Sequence, residues 1–227
     1  MTRYELFVGA VVVFSVAFAL YKKMMRSKVD EAAAPATLFS DVQLLFKGPL
    51  IQRGKTLSSW QLTGIYGGQS FQVQTIIDTL STRKLPSLWM MITLPEPQPL
   101  PGILDLMMRP SGPTTFSNFD FLTHSLPLPS DFPDNMVIRS DSLDMTRYLE
   151  FVKPHLATFE ECHGKEFLMT PKGLRIVTLA AEADHARYGV LREANFGEQV
   201  LNADLAKRSM DILRIVHQQL RNGKAND

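Results

Sequence analysis

The side chains able to do chemistry are few and poorly grouped. Cys162 is the single cysteine, with His163 beside it, His155 seven residues earlier, and Glu160 and Glu161 between. A spacing of seven puts His155 and Cys162 on one helical face, but the adjacent Cys162 and His163 point apart, and a metal needs three or four convergent ligands. An ordinary helix C-terminus is expected there, with no metal. A Cys or Ser nucleophile would need a strained, glycine-flanked turn with a base in reach, and no G-x-S-x-G occurs. Tyr66-Gly67-Gly68 lacks the Lys-Ser/Thr and following helix of a phosphate loop and reads as a hairpin turn. Asp120, Asp131, Asp134, Asp141 and Asp144 gather in and after a proline-rich stretch, where turn formation and helix capping account for acids without a glycosidase-type pair. No catalytic residue and no cofactor is therefore assigned.

Two polar and aromatic sets remain. Arg139, Arg175, Arg187 and Arg192 stand in or beside strand-like runs and form a candidate anion or lipid-headgroup site if they share a face. The competing expectation is ion pairing with Glu166, Glu182, Asp184 and Glu193 in the same segments. Phe116, Phe119 and Phe121 lie in a loop, FSNFDFL, and are candidate anchors for a partner interface. Trp60, Tyr66 and Trp89 are expected in the core.

Charge and hydropathy locate the chain. Its 227 residues carry 24 Lys+Arg against 23 Asp+Glu, and 45% are hydrophobic. That composition excludes a disordered tail, a disulfide-stapled mini-domain and a globally basic nucleic-acid binder. The near-neutrality is uneven: residues 1–28 hold five basic residues against Glu5 alone, a net of +4, which leaves -3 on the other 199.

Leu6 to Tyr21 reads LFVGAVVVFSVAFALY, sixteen residues without a charge. Sixteen helical residues reach about 24 Å, short of the roughly 30 Å hydrocarbon core. Interfacial Tyr4 and Tyr21, snorkelling Lys22 and Lys23, and Met24 and Met25 extend the span to Tyr4–Met25. A single-pass helix is the reading, with Tyr4, Leu6, Phe7, Val11, Phe14, Phe18 and Tyr21 in the anchor and Lys22, Lys23, Arg26 and Lys28 at the headgroups. Ala17-Phe18-Ala19 matches a cleavage pattern, but a barely basic n-region followed by KKMMRSK argues against a signal peptide. Basic residues close to a span are retained on the cytoplasmic side, so the C-terminal domain is expected to be cytoplasmic.

Elements must then position the two sets. Residues 29–37 read as a tether and 38–227 as one α+β domain with a mainly antiparallel sheet, a roll or partial barrel of about seven strands. Alternation in 57–66 and 71–75 around Gly67-Gly68 predicts a hairpin. Strands are also expected at 88–94, 103–108, 136–139, 166–170 and 174–180, the last two joined by Pro171-Lys172-Gly173 with the glycine left-handed. The intervening PEPQPLPG excludes regular structure, and 110–133 reads as a long connection. A helix capped by Asp141 or Ser142 is kinked or restarted at Pro154, 187–194 reads as a returning strand or a helix, with alternation of Tyr188, Val190 and Arg192 favouring the strand, and an amphipathic helix capped by Asn202 closes the chain.

The sequence thus describes a single-pass protein of a bacterial inner membrane whose cytoplasmic domain binds a membrane-protein partner as an accessory subunit or assembly factor. The alternatives are a tethered enzyme acting on a membrane-proximal substrate and a lipid-headgroup module. The bilayer is the first partner, and nucleic acid is not one.

Overall fold

Alternating apolar and polar side chains carry directly into strands. The structure, a computed structural model, describes residues 35–54, 60–78, 85–110, 114, 116–183, 196 and 199–223. The anchor, its basic flank and most of the tether lie outside these residues, as do Arg187, Arg192 and the whole 187–194 segment. Among the described residues no helix is long and apolar enough to cross a membrane.

The strands are β1 (Lys47–Arg53), β2 (Trp60–Tyr66), β3 (Gln69–Asp78), β4 (Ser87–Leu94), β5 (Leu104–Met108), β6 (His124–Leu126), β7 (Met136–Ser140), β8 (Gly164–Thr170) and β9 (Gly173–Glu182). They form one antiparallel sheet in the order β1-β2-β3-β4-β9-β8-β5-β7-β6. The sheet is open, with β1 and β6 at its edges. Short helices α1 (Pro35–Leu38), α2 (Leu149–Val152) and α3 (Leu156–Glu161) accompany the long C-terminal α4 (Ala203–Gly223). This is the α+β architecture with an antiparallel sheet and closing helix that the patterning predicts, but as an open sheet of nine strands rather than a roll or partial barrel of about seven.

Because side chains alternate across a strand, each strand has a helix-side face and an outer face. On the helix side, Leu62, Val73, Ile92, Leu106, Ile138, Phe167 and Ile176 join Met210, Leu213 and Val216 of α4 in one buried core. Asn202 caps α4 by accepting a hydrogen bond from the Leu205 N–H at 3.0 Å. Gly67 and Gly68 turn the β2–β3 hairpin at φ 56° and 86°.

Several expectations need correction. Strand β1 was hidden by Gly48 and Pro49, which interrupt alternation but are tolerated on an edge strand. The 110–133 connection contains a 3-10 turn, Phe119–Phe121, and the short strand β6. Ser142, one of the two expected caps, accepts from the Asp144 N–H at 3.3 Å, but the first six residues it caps are 3-10 rather than α. Gly173 is nearly extended, φ 158°, rather than left-handed. The Thr170 hydroxyl closes that turn instead, accepting from the Lys172 and Gly173 N–H groups and donating to the Gly173 carbonyl. Gly173 is needed because a Cβ there would stand 2.5 Å from the Leu94 carbonyl oxygen.

Candidate polar site on the outer face of the sheet

Register alone assembles the site. One cross-strand row on the outer face runs Thr93, Arg175, Leu168, Asp105, Arg139, Ser125 over β4, β9, β8, β5, β7 and β6. The row beside it runs Met91, Val177, Glu166, Met107, Val137. Asp105 is thus directly opposite Arg139, and Glu166 is the diagonal neighbour of both Asp105 and Arg175, within reach of long side chains.

The two carboxyls are covered: Asp105 is 2% exposed and Glu166 0%. Asp105 Oδ1 and both Glu166 carboxyl oxygens have no hydrogen-bond donor, and the Arg139 and Arg175 Nε atoms have no acceptor. Burial, then repulsion from Glu166, pushes the Asp105 pKa up to about 9, opposed by Ser117 and Arg175. Burial also raises Glu166, opposed by Ser117, Arg175, Asp105 and Lys165. Burial thus favours the protonated form of both coupled carboxyls, and a proton on Asp105 can be donated to Glu166.

A strap formed by Phe116–Phe121 crosses this cluster. Phe116 packs on Trp89 at 5.8 Å between ring centroids. The Ser117 hydroxyl reaches Asp105 Oδ2 at 3.4 Å and accepts from the Phe119 N–H at 3.0 Å. Arg139 lies 5.2 Å from the Phe119 ring and donates from Nη1 to the Asp120 carbonyl at 3.1 Å. The next side chain, Phe121, is 83% exposed.

The three phenylalanines therefore have different surroundings: Phe119 is buried, Phe116 half-buried against Trp89, and Phe121 projects. Arg139 and Arg175 share a face, as the anion-site expectation required; Arg187 and Arg192 lie outside the described residues. Among the described residues neither Arg139 nor Arg175 makes an ion pair, so the expected pairing of Arg175 with Glu166 is limited to a longer-range electrostatic pull. Cys162 is buried, and burial pushes its thiol pKa up. Among the described residues no three His, Cys, Asp or Glu side chains converge as metal ligands.

Sequence reasoning passed over Asp105, although an acid inside the apolar run ILDLMM was the available signal. A second missed cluster ties the PEPQPLPG loop to α4. His217 Nδ1 is 3.0 Å from Gln98 Oε1, its Nε2 is 3.3 Å from Glu96 Oε2, and the Gln98 N–H donates to the Pro171 carbonyl at 3.0 Å.

No family model and no curated protein matches the chain. Among solved structures, the crystal structure of the mycobacterial trehalose monomycolate transport factor A, TtfA, is similar over 68% of this chain and 71% of that one, with a TM-score of 0.34 and 10% identity. A likeness at that level carries no functional argument.

Proposed function

We propose that this protein is a membrane-anchored binding protein, an accessory subunit or assembly factor of a membrane complex, and that the strap on the outer face of its sheet is where a protein partner docks. The domain is placed by this reading on the cytoplasmic side of a bacterial inner membrane. One observation carries it: Phe121 is held 83% exposed at the end of a segment whose preceding residues are pinned by Trp89, Asp105 and Arg139. An exposed aromatic on a loose loop would lose much of its binding energy to ordering; one on a pre-ordered strap loses less.

The buried carboxyl pair belongs to this reading as the strap's support. A second reading, a tethered enzyme with Asp105 and Glu166 as its acid–base pair, is favoured by the displaced Asp105 ionisation. Their complete coverage opposes it, since a general acid must reach its substrate.

The test uses full-length protein carrying a photo-crosslinking amino acid at position 121, irradiated in membranes. A discrete adduct with one membrane protein is expected, and Phe121→Ala should weaken co-purification of that partner by tenfold or more. Loss of about 2 kcal/mol is the level at which a truncated interface side chain counts as a hot spot, the role assigned to Phe121. Absence of any adduct at 121, with a partner still recovered by Phe121→Ala, rejects the strap as the docking site. Turnover of a membrane-proximal substrate that Asp105→Asn abolishes would favour the enzyme.

A further inference from the structure

The other end of the sheet has a different character. From Val42 to Ile77 the chain contains no Asp or Glu, while Lys47 and Arg53 stand on β1. Three large apolar side chains in this stretch face solvent: Leu44 at 80%, Leu50 at 56% and Ile65 at 49%. Their elements are neighbours. Lys47 is the cross-strand partner of Ile65, Leu50 that of Thr63, and the 3-10 turn Val42–Leu45 packs against both β1 and β2. Arg53, paired with Trp60, faces the other side of the sheet, which leaves Lys47 as the cation beside these apolar tips, with Asp41 the acid nearest to them in sequence; apolar tips around a lysine complement an anionic lipid interface.

We propose that this end of the sheet, Leu44, Lys47, Leu50 and Ile65, lies on the anionic surface of the membrane and fixes the orientation of the domain. The inference rests on the anchored reading above. Six residues separate Lys28 from Pro35, a reach of at most about 25 Å over seven fully extended steps. The chain is then fixed immediately: Leu38 and Phe39 are buried, and the Leu38 carbonyl accepts from the Leu201 N–H at 2.9 Å. The first surface after that attachment is the Val42–Leu45 turn and β1. A bilayer is also a better occupant of this edge than another strand. Pro49 lacks an N–H, and the β1 register shifts between Lys47 and Leu50, two features that oppose strand addition.

Full-length protein is reconstituted in vesicles of phosphatidylcholine alone or with about one-third phosphatidylglycerol. Nitroxides are attached singly through Leu44→Cys, Leu50→Cys, Ile65→Cys and, on α4, the control Ile215→Cys; native Cys162 is buried. With phosphatidylglycerol, labels at 44, 50 and 65 should be shielded from a water-soluble relaxant at least threefold relative to 215 and be relaxed by oxygen. Adding Lys47→Glu should halve that shielding or more. Labels at 50 and 65 as water-exposed as 215, in protein that resists alkaline extraction, overturn the proposal and leave the anchor standing. Protein that washes off overturns the anchored reading and this proposal with it.

Discussion

Asp105 is the residue at which this fold is most dependent on protonation. A carboxyl whose folded-state pKa lies near 9, against about 4 in the unfolded chain, must bind a proton to fold at neutral pH. Between those limits the native state holds more protons than the unfolded one, so stability falls as pH rises through the window and levels off above it. The slope from this one group is at most about 1.4 kcal/mol per pH unit. Asp105→Asn keeps a donor for Glu166 and removes the titration. Urea unfolding at pH 5 and pH 9 should therefore show the variant gaining on the wild type by several kcal/mol at the alkaline end and little at the acid end. Equal pH slopes in the two proteins would mean that Asp105 is not held protonated. Glu166 shifts in the same direction and leaves a dependence of the same sign in the variant.

Elements rather than residues explain the proline-rich loop. Its prolines cannot pair with a strand, so a buried side chain from α4 has to hold it. His217 has acceptors near both ring nitrogens, which favours imidazolium, yet burial outweighs the pull of Glu96 and lowers its pKa, with Arg221 acting in the same direction. A depressed histidine stabilises the fold above its unfolded pKa of about 6.5 and loses that contribution as pH falls. His217→Gln should remove this acid-side loss, read as the difference between variant and wild-type stability at pH 7.5 and pH 5. His217→Ala should cost about 2 kcal/mol at neutral pH by leaving the Gln98 carbonyl oxygen buried without a partner. Unchanged stability of His217→Ala would detach the loop from this contact. The same scale shows what the sequence made legible. Strands β2, β3 and β7 and the amphipathic α4 follow from alternation or helical periodicity, because one face of each is buried, whereas β4, β5, β8 and β9 read as short, largely apolar runs bounded by turn residues, β5 being covered on both faces. Strand β1 and the three-residue β6 do not, because edge strands tolerate Gly and Pro and need little alternation. The Asp105–Glu166 contact was unreadable for another reason: it depends on the register of β5 against β8, strands 60 residues apart, which no local pattern encodes.

At the scale of the whole molecule, charge is polarised along the chain. The first 28 residues carry +4 and the remainder -3, while Asp105 and Glu166 stand toward the β6 edge of the sheet and the acid-free stretch toward the β1 edge. Four cations after the apolar segment against Arg3 before it should hold the following domain on the cytoplasmic side, since translocating Lys and Arg near a span is disfavoured. Fused at its C-terminus, the full chain should give a fluorescent cytoplasmic reporter and an inactive alkaline phosphatase in a bacterial host. Replacing Lys22, Lys23, Arg26 and Lys28 together by Gln leaves Arg3 as the dominant flank charge and should convert a substantial fraction to the opposite topology, scored as phosphatase activity. Both predicted faces depend on this orientation: the strap must meet its partner, and the β1 edge its lipids, on the same side of the membrane. Phosphatase activity of the native fusion would therefore move both to the exoplasmic leaflet, whose lower content of anionic lipid would no longer match Lys47.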